Sequence, residues 1–200
     1  MRTSATVGWW VWCAVIGCAL GALNSLVNVF GAQYGGHPLR PGGVPALRLL
    51  GALLGTQWAW ALLAFWIGWS ARRWRSAVGG ALLALWVATP TYYLSDWLGG
   101  RTDGFAHGFL AVWMILAIPA ALAFGSAGHL GRRPDPWSLL PLLAAPAVVA
   151  LDRRGGGTLD IQPWPTILQN LIAALLLILV LGLWFTRDRR RPDSDAGRDD

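Results

Sequence analysis

The residues best able to do chemistry collect in one turn, TPTYYLSD at positions 89–96, which ends an apolar run. On a helix, Tyr92 and Asp96 are four residues apart and share a face. A carboxylate near hydrocarbon is stabilised by a cation, and Arg48 stands at the same predicted depth in the preceding apolar run. We therefore expect an Arg48–Asp96 ion pair, with a helix kink at Pro90, which lacks a backbone donor.

A second group of polar residues lies in the first apolar run. At 100° per residue, Gly17, Gly21, Asn24 and Asn28 fall within an arc of about 60°. Small residues let two helices approach closely, and asparagine can hydrogen-bond across such a contact. This face predicts a helix-packing seam. The alternative is that the two asparagines coordinate a ligand.

Three further polar residues stand at a similar predicted depth, since His107 opens the fourth apolar run and Gln169 and Asn170 lie early in the sixth. The whole set is Asn24, Asn28, Arg48, Tyr92, Asp96, His107, Gln169 and Asn170. The inner halves of these runs are almost purely apolar. The set therefore predicts a polar vestibule, open to the outside, that binds a small molecule or an ion. The alternative is that each group pairs with a neighbouring helix or reaches interfacial water.

These residues give little support for a catalytic site or a metal site. Asp96 with His107 is the one plausible acid–base couple, and no hydrolase, protease or transferase motif surrounds it. His129 lies roughly 33 Å from His107 along a helix, so the two cannot share a site. We expect no catalytic residue, no metal site and no cofactor.

The polar residues are embedded in a strongly apolar chain, which is 55% hydrophobic and 13% charged, with a mean hydropathy of +0.47. This composition excludes a water-soluble monomer. Apolar runs occupy about residues 7–30, 46–70, 76–95, 105–128, 137–151 and 165–186. Roughly 20 apolar residues cross about 30 Å of hydrocarbon as a helix, and these runs lack the period-two alternation of barrel strands. The predicted fold is an all-α polytopic membrane helix bundle, with six transmembrane helices in a single domain, residues 1–186.

The arginines orient this bundle, because cytoplasmic loops are enriched in arginine. With six crossings and a cytoplasmic N-terminus, the inside holds Arg2, Arg72, Arg73, Arg75, Arg132, Arg133 and the five arginines of 187–200, which is most of the sixteen. Without a crossing at 137–151, the two sides would carry equal numbers. We therefore predict an inner-membrane protein with six spans and with both termini in the cytoplasm. A kinked or re-entrant helix is the alternative for 137–151, which contains two prolines.

Each end of the sequence carries one further prediction. The apolar run from Arg2 to Cys18 is similar to a lipoprotein signal, in which the cysteine is lipidated after cleavage. The run continues to Phe30, however, which favours an uncleaved first span. Segment 187–200 holds five arginines and five aspartates and cannot bury a core, so we expect a disordered cytoplasmic tail.

The expected partner is the lipid bilayer. The arginines are scattered between apolar runs and form no basic stripe, which argues against nucleic acid. The faces that contain Gly17, Gly21, Gly51 and Gly55 are candidates for contact with a second copy or with another membrane protein.

The stretch WAWALLAFWIGWSARRWRSAVGGALLALWVATPTYYLSD, with the basic loop and short fifth run that follow, resembles a group of small bacterial multi-span membrane proteins known only as a domain of unknown function. The likeness is strongest over residues 46–96, and its most specific element is the turn with Tyr92, Tyr93 and Asp96. The resemblance implies a six-span architecture and an inner-membrane location. It implies no activity.

Three classes of function remain open at this point. A non-catalytic membrane component needs only the small-residue seams and is the first choice. A small-molecule or ion permease would need a charged group near the midplane and preferably inverted repeats, and neither is evident. A membrane enzyme would have to use Asp96 and His107.

Overall fold

The computed structural model describes residues 2–31, 45–100, 107–133, 135–152 and 164–188, and every regular element among them is helical. The elements are α1 (Arg2–Gly31), α2 (Pro45–Leu54), α3 (Gln57–Ser70), α4 (Trp74–Leu98), α5 (His107–Ala120), a π-helical turn (Ala121–Gly125), α6 (Ser126–Gly131), a 3₁₀ turn (Pro136–Ser138), α7 (Leu139–Leu142), α8 (Ala144–Leu151) and α9 (Trp164–Asp188). The all-helical prediction is thereby confirmed. Beyond the end of α9, the tail predicted to be disordered lies outside the described residues.

Four helical segments are long and apolar enough to cross a membrane: Val7–Val27, Trp74–Leu98, Gly108–Gly131 and Trp164–Thr186. They correspond to the first, third, fourth and sixth runs predicted from the sequence. Only the first two are substantially covered by other helices, whereas Trp164–Thr186 has 6% of its most apolar window buried. The last segment therefore presents most of its apolar surface outward.

The second predicted run, 46–70, differs from expectation because it is divided into α2 and α3 at Gly55 and Thr56. Thr56 has an extended backbone (φ −85°, ψ 155°), and its hydroxyl donates to the carbonyl of Leu53. Such a local bond competes with the helical pattern and satisfies a carbonyl at the end of α2. The chain thus contains a broken helix where a single one was predicted.

The fifth run, Pro136–Leu151, is also interrupted, since a 3₁₀ turn and α7 precede α8. This segment contains Pro141 and Pro146, and each proline removes one backbone N–H donor from the helix. A third irregularity is the π-helical turn, which begins at Ala121, two residues after Pro119 of α5. The π-helical turn widens the helix at this point and was not predicted.

The helices pack around α3 and α4. Glycine contacts join α1 to α4 at two successive levels and show that these two helices run parallel. Helices α3 and α4 form an antiparallel pair, because three residues connect them. The main cluster of buried side chains includes Cys13 of α1, Ile67 of α3 and Leu85 of α4. A second cluster includes Trp58 of α3 and Val149 of α8.

One end of the bundle carries the exposed arginines Arg72, Arg73, Arg75, Arg132 and Arg133, and we name it the arginine end. Here the guanidinium of Arg132 donates to the carbonyl of Ala71 over 2.6 Å, and His129 Nδ1 lies 3.3 Å from the same oxygen. A cationic donor at a helix C-terminus hydrogen-bonds the last carbonyls and interacts favourably with the negative end of the helix dipole. The opposite end, where α4 finishes and α9 begins, is the distal end.

Candidate functional site

A stripe of glycines lets α1 lie directly on the backbone of α4. A Cβ added to Gly17 would overlap the carbonyl oxygen of Ala84 and lie 2.9 Å from its Cα. The same overlap occurs at Gly21, where the added Cβ would lie 3.1 Å from the Cα of Ala88. The packing seam predicted from residue spacing is therefore present, with a helix of the same chain as its partner.

This contact also bears on the predicted faces for a second chain. Gly17 and Gly21 are both buried against α4, so they offer no surface to another protein. Gly51 of α2 is buried and Gly55 is partly buried. Association with a partner through α2 stays a prediction.

Ser25 and Asp96 form a buried hydrogen bond where the seam approaches the distal end. Ser25 Oγ donates to Asp96 Oδ1 over 2.5 Å, and Asp96 is 5% exposed. Helical side chains lean toward the N-terminus of their own helix, so the Asp96 carboxylate covers the turn below its Cα. In the register that the glycine contacts set, this turn lies opposite Ser25.

Asn24 completes this group, and we name Asn24, Ser25 and Asp96 the seam cluster. Asn24 follows Gly17 by two helical turns and therefore shares its face. Its side chain is 3% exposed, and within the described part of the chain its Oδ1 has no hydrogen-bond partner. Burial of a hydrogen-bond acceptor without a donor destabilises the folded state by about 1–3 kcal/mol. This oxygen is therefore suited to accept a hydrogen bond from a bound ligand.

Two threonines flank Pro90 in α4, below Asp96. Each hydroxyl donates to the carbonyl four residues earlier, over 2.8 Å for Thr89 and 2.7 Å for Thr91. Each hydroxyl therefore bonds the carbonyl that the backbone N–H of the same threonine also faces in a regular helix. Helix α4 continues through Pro90 to its end at Leu98. The predicted kink is not tested.

A second polar site lies where three helices meet. The backbone N–H of Trp58, in the first turn of α3, donates to Asp152 Oδ2 over 3.3 Å. Because α3 starts afresh after the break at Thr56, its first N–H groups lack partners within the helix. A carboxylate from the end of α8 thus satisfies one of these donors and meets the positive end of the α3 dipole.

Gln169 of α9 closes the same site from the other side. Its Nε2 donates to the carbonyls of Val149 and Asp152, over 2.5 and 2.7 Å. Val149 lies in the last turn of α8 and Asp152 directly follows that helix, so these carbonyls lack partners within the helix. We name Trp58, Asp152 and Gln169 the helix junction. It fixes the start of α3, the end of α8 and the side of α9 to one another.

The structure divides the predicted vestibule residues between these two sites. Asn24 and Asp96 lie in the seam cluster, and Tyr92 is partly buried on α4, where its ring makes an edge contact with Tyr93 at 5.3 Å. Gln169 lies in the helix junction, and the neighbouring Asn170 is exposed.

Three members of the predicted set cannot be assigned. The side chains of Asn28, Arg48 and His107 lie outside the part of the chain that the structure describes. The Arg48–Asp96 ion pair and the Asp96–His107 couple therefore stay predictions.

Ser25 and Asp152 were missed by sequence reasoning. Ser25 follows Asn24 directly, but a single serine in an apolar helix gives no sign of its partner. The signals that could have revealed Asp152 are its position directly after an apolar run and the Gly-Thr pair, Gly55 and Thr56, inside another run.

No known protein family, no curated protein and no solved structure matches this chain. The resemblance over residues 46–96 consequently stays a prediction.

Proposed function

We propose that the protein is a multi-pass membrane protein of the inner membrane, with six crossings and both termini in the cytoplasm, and that it serves as a non-catalytic membrane component. The four long apolar helices support insertion into a bilayer by their length and composition.

The parallel arrangement of α1 and α4 supports a second crossing. If both helices cross the bilayer in the same direction, the chain between them must return across it. The two short helices α2 and α3 together cover the apolar run 46–70, and they are the elements available for this return. The break between them is compatible with a crossing because its polar groups are bonded within the protein.

A fifth crossing is supported by the packing of Pro136–Leu151 along α9. Trp184 Nε1 lies 3.3 Å from the carbonyl of Pro136, while Gln169 bonds the end of α8. The interrupted segment therefore runs antiparallel to α9, from the arginine end toward the distal end. At 1.5 Å per residue its length is about 24 Å, which approaches the thickness of the hydrocarbon.

The arginine end supports the orientation. Its exposed arginines are concentrated in the connections before α4 and after α6, and such clusters are typical of the cytoplasmic side. Reporter fusions after residues 73, 133 and 188 should be cytoplasmic, and fusions after 101 and 157 should be external. An external reporter at residue 188 would contradict the six-span arrangement.

The observation that carries the non-catalytic role is the use of buried and partly buried polar groups as helix connections. Asp96 accepts a hydrogen bond from Ser25 of another helix, and Gln169 donates twice to the backbone of α8. These groups hold the distal half of the bundle in one arrangement. In the described residues they do not converge on a shared reaction centre.

Thermal unfolding of the purified protein against a broad ligand panel tests this role. We expect no water-soluble ligand to raise the unfolding midpoint of the wild type or of Asp96→Asn. A ligand that stabilises the wild type and loses its effect in Asp96→Asn would contradict the proposal.

A small-molecule or ion permease is the second candidate, favoured by two observations. The oxygen of Asn24 is buried without a partner near the end of α1, and α2 and α3 form a discontinuous helix of the kind found at transporter binding sites. A ligand that depends on both Asn24 and Asp96, together with flux into vesicles, would establish this candidate in place of the first.

A further inference from the structure

An open groove of about 690 Å³ lies between the start of α3, the π-helical turn and α8. Such a volume falls in the range of about 300–1,000 Å³ that holds ligands in other proteins. The groove includes Asp152 of the helix junction but neither Trp58 nor Gln169.

The groove follows the axis of α8. The groove is lined on successive turns of one face of α8 by Ala144, Ala147, Val148 and Leu151, and Phe124 of the π-helical turn also lines it. This lining is apolar over about 10–12 Å, at 1.5 Å per residue. An elongated hydrocarbon chain is the shape that such a wall accommodates.

The polar groups of the groove lie together at its distal end. Asp152 follows Leu151 directly, and Gln57 stands at the first position of α3. Asp152 is partly exposed and Gln57 is exposed. A carboxylate has about four acceptor positions, so Asp152 can accept further donors beside the N–H of Trp58.

These features specify an amphipathic molecule with a cationic donor at one end. A carboxylate repels an anionic headgroup and attracts an ammonium group. A primary ammonium offers three N–H donors, whereas a quaternary choline group offers none, and the Gln57 carbonyl can accept a second of these bonds. The short apolar wall suits one acyl chain better than a partner helix.

We propose that this groove binds one phospholipid with a primary-ammonium headgroup, its ammonium at Asp152 and Gln57 and one acyl chain along α8. This proposal rests on the membrane insertion proposed above, which supplies the lipid. The bound lipid fills the space between α8 and the π-helical turn.

Native mass spectrometry tests the site with full-length protein reconstituted in vesicles of equal parts phosphatidylethanolamine, phosphatidylglycerol and phosphatidylcholine. We expect the wild type to retain one phosphatidylethanolamine in preference to the other two lipids. Asp152→Asn keeps an acceptor for the Trp58 N–H but loses the charge, and it should reduce this preference about fivefold. Asp135→Asn, at the arginine end, is the charge-matched control and should retain it.

A second variant tests the apolar wall. Ala147 is exposed, so Ala147→Phe can fill the groove without entering the buried core, and it should abolish retention of the lipid. Leu175→Phe on the outer face of α9 is the matched control.

Equal retention of the three lipids by the wild type, or an unchanged preference in Asp152→Asn, would overturn the lipid site in a protein that still occupies the membrane. Recovery of the chain outside the membrane fraction would instead overturn the proposed function, and the lipid site with it.

Discussion

The seam cluster and the helix junction both bury polar groups near the distal end, but they do so in different ways. In the seam cluster, side chains on the faces of two continuous parallel helices meet each other, and glycines set the distance between the helices. In the helix junction, side chains meet the backbone at helix ends. The seam therefore depends on close backbone contact, and the junction depends on interruptions of the helices.

The largest effect should come from breaking the close contact in the seam. In Gly17→Ala with Gly21→Ala, two new methyl groups overlap carbonyl oxygens of α4, and the helices must separate. Overpacking of this kind reduces the free energy of unfolding by about 1–3 kcal/mol per site. Denaturation with SDS in mixed micelles measures the change.

Gly182→Ala is the matched control for this prediction, because an added Cβ there meets nothing within 4 Å. Alanine favours a helix over glycine by about 0.5–1 kcal/mol, so this variant should be slightly more stable than the wild type. Equal destabilisation by the two sets of variants would refute the role of the seam.

The next largest effect concerns the polar bond of the seam. Asp96→Ala should lower the free energy of unfolding by about 1.5–3 kcal/mol, because it removes a buried, charge-assisted hydrogen bond to Ser25. Asp96→Asn keeps an acceptor and should lose less. If the alanine and asparagine variants were equally stable in the same SDS titration, Asp96 would not act through its hydrogen bond.

A smaller effect is expected in the helix junction. Gln169→Leu removes both hydrogen bonds to the carbonyls at the end of α8. Loss of each bond should lower the free energy of unfolding by about 0.5–1.5 kcal/mol. Hydrogen exchange should show faster exchange in α8 while α1 and α4 stay unchanged. Asn170→Leu alters the exposed neighbour and should leave the exchange of α8 as it is.

The smallest effect should come from the bond between α8 and the start of α3. Asp152→Ala leaves the Trp58 N–H without its acceptor and should reduce the free energy of unfolding by about 1 kcal/mol, as loss of a helix N-cap does. Asp152→Asn should be nearly neutral in the same measurement. A loss in the asparagine variant as large as in the alanine variant would show that charge, and not capping, stabilises the junction.

The long helices could be predicted from the sequence, but among the interrupted segments only 137–151, with its two prolines, gave a sign of an irregular helix. Four apolar runs have boundaries within a few residues of the helical spans, because a long apolar run in lipid has to be a helix. The seam was predicted for the same reason, since Gly17, Gly21 and Asn24 share a face wherever the helix is regular.

The helix junction escaped prediction because its partners are backbone atoms. The break at Thr56 depends on a hydrogen bond to Leu53 and on support from Asp152, which is distant in sequence. Gln169 was noted for its polarity, but the carbonyls that it binds have no side-chain signature. The groove beside α8 likewise follows from the packing of interrupted helices.

Double-mutant cycles test the central claim most directly, namely that the distal end holds two separate polar sites. Unfolding free energies would be measured for Ser25→Ala, Asp96→Ala and Gln169→Leu, singly and in pairs. We predict a coupling of about 1 kcal/mol or more between Ser25 and Asp96, and additivity within about 0.5 kcal/mol between Ser25 and Gln169. Strong coupling between Ser25 and Gln169, or none between Ser25 and Asp96, would contradict this account and favour one shared vestibule.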